Sequence, residues 1–367
     1  MMLNIIHIDT GITWRGGQKQ VSLLCRYLQS KQYNIHLIVN PHSALAEYAR
    51  KHSIPFTTIA MPCEYTPNAI RQIKKIIAAF NANIVHLHDS RAHTLGSIAA
   101  RRAGVPVIIV SRRVIFPPKG WPFKKLKYTL PTHYIAVSTA VQKVLQHSGV
   151  LHNNITTIYS GIDIQSQTNN TNNIPVQRTT FGLSNTDFVV GSIGALTQEK
   201  DTLTLLKAGA LLKTAIPNLR IIIIGDGKER KHLEETTRQL GIPSMVSFLG
   251  FRNDIHAIYQ IINCFVTCSI QEGLGNTVLE AALHALPIIA TRTGGIPEIV
   301  QHQKTGLLFN PGDVDTLAAY ISYINTHPTA AHTFGNAAYD SITARFDYHI
   351  TGAQTAALYT QLLNNTI

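Results

Sequence analysis

A chain of 367 residues with 45% hydrophobic and 14% charged residues is globular rather than disordered, and its length predicts about two domains. The net charge of +12 is unevenly held: residues 1–163 carry 19 Lys/Arg against 5 Asp/Glu, a balance of +14, and the rest carry 13 against 15, a balance of −2. No apolar run reaches the roughly 18–20 residues that span a bilayer, and the start, MMLNIIHIDTG, lacks a signal peptide's basic region and reads as a first strand.

The segment 4–9 is a short apolar strand that runs into TGITWRGGQ and then a helical stretch over 21–28. Strand, glycine loop and helix open a nucleotide- or phosphate-binding unit. The Gly16-Gly17 pair is neither GxGxxG nor a P-loop, so an ordinary tight turn is the competing reading. The alternation continues with strands at 34–40, 56–60, 84–88, 107–111, 134–138 and 156–159, and helices at 44–52, 69–80, 94–103 and 140–148. This pattern predicts a parallel sheet covered on both faces, with ligands beyond the carboxyl ends of the strands. Gly16, Gly17, His86, His88, Asp89 and residues 111–113 then surround one crevice. His88 ends its strand, where a lone histidine is either structural or a ligand group.

Residues 112–128, from Arg112 to Tyr128, read RRVIFPPKGWPFKKLKY. They hold six Lys/Arg, no acid, and the aromatics Phe116, Trp121, Phe123 and Tyr128. Basic residues between aromatics suit an anionic membrane surface or an anionic acceptor. Nucleic acid and a plain solvated loop are the alternatives.

The polar segment IQSQTNNTNNIPVQR, residues 164–178, is the expected linker between domains at 1–163 and 179–345. Beyond it the alternation restarts, with strands at 188–193, 219–225, 246–249, 264–268, 288–290 and 306–309, and a last helix at 349–363. Cys264 and Cys268 flank one of these strands and read as reduced packing residues; no CxxC pair and no zinc-like His/Cys spacing occurs. The segment QEGLGNTVLEAALHALP stands out. Glu272 and Glu280 are eight positions apart, with a small turn and a helix between them. Asn276 is the expected N-cap, and Pro287 should stop the helix near Ala285. N–H groups at such a helix start bind anions, and carboxylates bind hydroxyls, a combination that suits a nucleotide sugar. An acidic first turn with no ligand is the bland alternative.

The motif E-x7-E, from Glu272 to Glu280, with ATRTGGIPEIV, GLLF, VHLHDS, YIAVSTAV, YSGID and Glu199-Lys200, resembles the retaining glycosyltransferases of family 4. That resemblance implies the GT-B fold: two Rossmann-like, doubly wound parallel-sheet α/β domains facing a central cleft. It implies hexosyl transfer from a nucleotide-diphosphate sugar, most simply a UDP-sugar, with neither metal nor cofactor. WRGGQKQ and SRRVIFP look most like enzymes of bacterial lipopolysaccharide core and related envelope glycans. The acceptor implied is a glycolipid or oligosaccharide, met from the cytoplasm at the inner face of the inner membrane. Residues 346–367 would form a helix packing back on the first domain. In the family pattern Lys200 neutralises the leaving diphosphate, Glu272 and His88 contact the donor sugar, and Glu280 holds the ribose. Backbone of Gly16, Gly17, Leu274, Gly275, Asn276 and Thr277 would hold phosphate or sugar oxygens. One position departs: the family usually has an Arg five residues before the Lys, and here Ala195 stands there. The charge would then fall on Lys200 alone, or on Arg15 or Arg113 reaching across; Arg15, beside the glycine loop, is the expected substitute. The competing functions are a GT-B-like nucleotide-sugar epimerase, which needs no acceptor, and a nucleic-acid-binding protein.

Overall fold

The structure is a computed structural model that describes residues 3–116, 127–165, 177–252 and 254–365. Contacts divide the chain into two compact units, unit 1 with Met1–Ile162 and Phe346–Ile367, and unit 2 with Asp163–Arg345.

Unit 1 is built on β1 (Asn4–Asp9), α1 (Gly16–Ser30), β2 (Asn34–Val39), α2 (Ala44–Lys51), β3 (Phe56–Thr58), α3 (Pro67–Ala79), β4 (Ile84–Leu87), α4 (Ser90–Arg102), β5 (Val107–Arg112), β6 (His133–Ala136), α5 (Thr139–His147) and β7 (Ile155–Thr157). Its seven strands are all parallel, in the order β3-β2-β1-β4-β5-β6-β7. Strands buried on both faces need apolar residues throughout, which is why Ile5, Ile6, Ile8, Ile84, Val85 and Leu87 are fully buried. The order reverses between β1 and β4, which places the ligand crevice of a doubly wound sheet at their carboxyl ends. The last helix, Tyr348–Asn364, belongs to this unit. Gly352 is the residue that lets it lie on α1, since a Cβ there would meet the Tyr27 ring at 2.3 Å.

Unit 2 repeats the plan with β8 (Phe188–Ile193), α6 (Thr202–Leu212), β9 (Leu219–Ile224), α7 (Arg230–Gln239), β10 (Val246–Gly250), α8 (Ile255–Tyr259), β11 (Cys264–Thr267), α9 (Asn276–Leu283), β12 (Ile288–Thr291), α10 (Ile296–Ile299), β13 (Leu307–Phe309), α11 (Val314–Thr326) and α12 (Pro328–Arg345), after which Tyr348–Asn364 is α13. The sheet order is β10-β9-β8-β11-β12-β13, again parallel, and the switch point lies between β8 and β11. Both units are therefore Rossmann-like, as the family resemblance implies.

Among the described residues no helix is long and apolar enough to cross a membrane. The four cysteines are free, with Cys25, Cys264 and Cys268 buried and Cys63 exposed.

Candidate active site

In unit 2, Lys200 and Glu272 come from opposite sides of the switch point. Lys200 ends a short turn after β8, and Glu272 follows β11. Their side chains form a direct ion pair, Nζ to Oε2. One backbone bond ties the two turns together, and a second bond steadies Glu272 within its own turn. The Ile270 N–H donates to Glu199 O at 2.9 Å, and the Ser269 hydroxyl reaches Glu272 Oε2 at 3.4 Å. A small crevice of about 10 Å³ lies beside Lys200, its polar lining Ser192, Thr202, Thr267 and Lys200 set against Ile193, Leu196, Ile223 and Ile224. The hydroxyls and the one cation are the groups there that suit a phosphate-bearing ligand.

The turn leads into α9, and here one expectation is corrected. Gly275, at φ +110°, is the N-cap, and no side chain caps the helix. Asn276 is the first helical residue. An αL cap excludes a side chain with a Cβ at low cost, so glycine takes the position. The consequence favours ligand binding, because the first N–H groups of α9 have no capping side chain to answer them. The helix also ends at Leu283, two residues earlier than Pro287 implies, with Ala285 turned to φ +51°. Glu280 stands in the second turn, half-buried, and accepts from the Tyr259 hydroxyl at 3.3 Å.

In unit 1 the carboxyl ends of β1 and β4 carry a dense polar network. Asp9 accepts from Gly11 N at 2.9 Å and from the Gln18 amide at 3.0 and 3.1 Å. Burial, then the neighbouring Asp89, push its carboxyl above the ordinary range. Asp89 caps α4 through Arg91 N and Ala92 N and accepts from the Thr10 hydroxyl at 2.7 Å. His88 is buried, with both ring nitrogens engaged inside the unit. Arg113 donates to His88 O at 2.8 Å and lies 3.3 Å from His88 Nδ1. A guanidinium only donates, so Nδ1 carries the lone pair and Nε2 the hydrogen. That hydrogen points to His7 Nδ1 at 3.0 Å. His7 Nε2 then bears its own hydrogen and has no partner among the described residues. His86 joins Tyr359 Oη at 2.6 Å and Ser111 Oγ at 2.8 Å. Burial lowers the pKa of all three, to about 3 for His7 and well below the ordinary value for the others. His7, His86 and His88 offer ring nitrogens within 4.8 Å of one another, close enough to hold a metal ion. Apart from His7 Nε2, these nitrogens already serve each other, Tyr359, Ser111 and Arg113. The cluster is a hydrogen-bonded neutral network.

The basic segment is corrected in part. Residues 117–126, with Lys119, Lys124 and Lys125, lie outside the described residues. The flanking charges do not face solvent freely. Lys127 is buried, donating to Ser90 O at 2.6 Å and pairing with Glu64 at 3.3 Å. Arg112 donates to the Tyr128 hydroxyl at 2.9 Å and to the carbonyls of Val114 and Phe116. Arg113 and Lys127 thus anchor the segment's ends to the rest of unit 1, while Arg112 ties those ends to each other.

Two family models match the chain, "Glycosyl transferases group 1" over residues 173–341 and "Glycosyltransferase Family 4" over residues 14–166. The chain belongs to these glycosyltransferases. It is 26% identical over 337 residues to the UDP-Gal:alpha-D-GlcNAc-diphosphoundecaprenol alpha-1,3-galactosyltransferase of Escherichia coli, covering 86% of each chain. It is 22% identical over 358 residues to the capsular polysaccharide biosynthesis glycosyltransferase CapM of Staphylococcus aureus, covering 93% of each. Its fold matches the crystal structure of Anabaena HepE in complex with UDP-glucose, with a TM-score of 0.85, 22% identity, and coverage of 98% of this chain and 100% of that one.

In this glycosyltransferase the structure also brings forward residues that sequence reasoning did not single out. Gly294, in the TGG segment, is at φ +54°, and an added Cβ would sit 1.7 Å from Glu272 O. Gly295 N and that same carbonyl are hydrogen-bonded at 3.3 Å, and Thr291 donates to Ser269 O at 2.6 Å. The TGG segment is therefore the brace behind the Glu272 turn. In the loop after β1 the tight glycine is Gly11, whose Cβ would strike the Gln18 amide at 2.2 Å. At Gly17 a Cβ would meet nothing within 4 Å, so open space lies before that backbone. Arg15 is exposed at the start of α1 and makes no side-chain cap. Ala195 is exposed at the end of β8, and Lys200 is the cation that shares its crevice.

Proposed function

We propose that this glycosyltransferase moves a hexosyl group, with retention, from a UDP-sugar to an envelope glycolipid of the lipopolysaccharide or polyprenyl-diphosphate kind. The observation that carries this reading is the Lys200–Glu272 pair, held at the sheet's switch point beside the open start of α9. A diphosphate leaving group gathers negative charge as the glycosidic bond breaks, and a fixed ammonium meets that charge. Lys200 then does what a divalent ion does in other transferases, and no metal or cofactor is required. Glu272 is released from Lys200 when the diphosphate arrives and binds the sugar's hydroxyls. Glu280 holds the ribose, and the N–H groups from Leu274 to Thr277 hold phosphate oxygens. The choice of UDP follows the E. coli and Anabaena proteins, whose names carry UDP-galactose and UDP-glucose. The glycolipid acceptor follows the diphosphoundecaprenol substrate of the former.

Unit 1, with its charge of +14 over residues 1–163, receives the acceptor and rests against the anionic cytoplasmic face of the inner membrane. A radiolabelled transfer assay on a panel of UDP-sugars tests the reading. Glu280→Ala should raise KM for the donor about tenfold or more, the loss of a charged hydrogen-bond partner. Unchanged donor binding and turnover would remove the assignment.

A further inference from the structure

Glu280 does not stand alone in unit 2. Its neighbour Tyr259 ends α8 and is almost wholly buried, at 1% exposure. The ring stacks on His284 at 4.7 Å and 26° and tilts against Phe265 at 6.1 Å. His284 is itself held, its Nε2 3.2 Å from His256 Nδ1. Burial lowers the His284 pKa to about 4, so the stacked ring is neutral at neutral pH. Tyr259 thus cannot swing away from its place.

A buried tyrosine hydroxyl needs a partner, and this one has a single hydrogen and two acceptors in reach. Thr277 O is at 3.2 Å and Glu280 Oε2 at 3.3 Å. Both belong to the first two turns of α9. An ionised acceptor takes the stronger bond of the two. A glutamate in a helix has three rotatable side-chain bonds, and its carboxylate sweeps widely unless something restrains it.

We propose that Tyr259 is a positioning residue. It holds one oxygen of Glu280 from beneath and presets the carboxylate for the paired hydroxyls of a nucleotide's ribose. This rests on the reading of Glu280 as the ribose ligand and adds what makes that glutamate selective. The site then discriminates a ribonucleotide from its deoxy analogue through two residues, one touching the sugar and one fixing the first.

The test is calorimetric binding of UDP and 2′-deoxy-UDP to the full chain and to Tyr259→Phe, Glu280→Gln and the double variant. The phenylalanine keeps the ring and both aromatic contacts. The wild type should prefer UDP by about tenfold or more, and Glu280→Gln should bring the ratio near one. Tyr259→Phe should cut the preference about three- to tenfold while 2′-deoxy-UDP binds as before. In the double variant it should change nothing further. A Tyr259→Phe protein that keeps the wild-type preference overturns the proposal and leaves Glu280 as the ribose ligand. Equal weakening of both nucleotides would show a packing role only and overturns it too. A wild type without preference, or without UDP affinity, overturns the Glu280 or UDP reading itself, and this inference with it.

Discussion

Gly294 shows how one residue governs the site from outside it. It touches the backbone carbonyl of Glu272 so closely that no side chain fits, and its φ of +54° is costly for any other residue. Gly294→Ala must push the Glu272 turn away from Lys200. We expect a loss of about 2–4 kcal/mol in unit 2 by urea titration, together with a fall in kcat. A variant with wild-type stability and rate would show that the turn can move freely. TGG was visible as part of the family motif, but its mechanical role was not. The carbonyl that Gly294 touches lies 22 positions earlier in the chain, and no local pattern links the two.

At the level of elements, the described ends of the basic segment between β5 and β6 are held in place. Lys127 sits buried over the start of α4, bonded to Ser90 and Glu64. Lys127→Glu would leave two carboxylates facing each other there, and should destabilise unit 1 by about 3 kcal/mol or more. Lys124→Glu and Lys125→Glu, outside the described residues, test the membrane proposal instead. They should weaken co-sedimentation with phosphatidylserine vesicles at low salt. Unchanged sedimentation would withdraw the membrane proposal and leave the transferase intact. Composition marked all six cations of the segment alike. Which of them turn inward depends on α4 and on Glu64, neither of which is near in sequence.

Across the whole molecule the two units differ in their response to acid. Unit 1 buries five neutral histidines with depressed pKa, His7 and His93 near 3, His133 near 4, and His86 and His88 well below normal. In unit 2, the half-buried His284, near 4, is the counterpart. Unfolded histidine titrates near 6.5. Below that pH the unfolded chain binds protons that the folded unit refuses, so stability is full above about 6.5 and falls as pH drops toward 4. Each such histidine costs roughly 1.4 kcal/mol per pH unit in that window. Asp9, raised by burial, acts in the opposite sense, one group against five. Scanning calorimetry between pH 7.5 and 5.5 should show the unit 1 transition moving down further than that of unit 2. Equal shifts would contradict this account.

The sequence by itself determined the alternation of strands and helices, hence two doubly wound parallel sheets, because a period of 2 or 3.6 in apolar residues is a local signal. It also placed Glu272, Lys200 and His88 beyond the carboxyl ends of strands and Glu280 in the helix that follows Glu272. The tertiary structure alone decided what those residues touch. Lys200 pairs with Glu272 across 72 positions, Tyr259 holds Glu280, and Gly275 rather than Asn276 starts α9. It turned His88 into one link of a chain from Arg113 to His7, two strands apart in the sheet. Strand order and register create these meetings, and register is a property of the packed sheet that no single segment encodes.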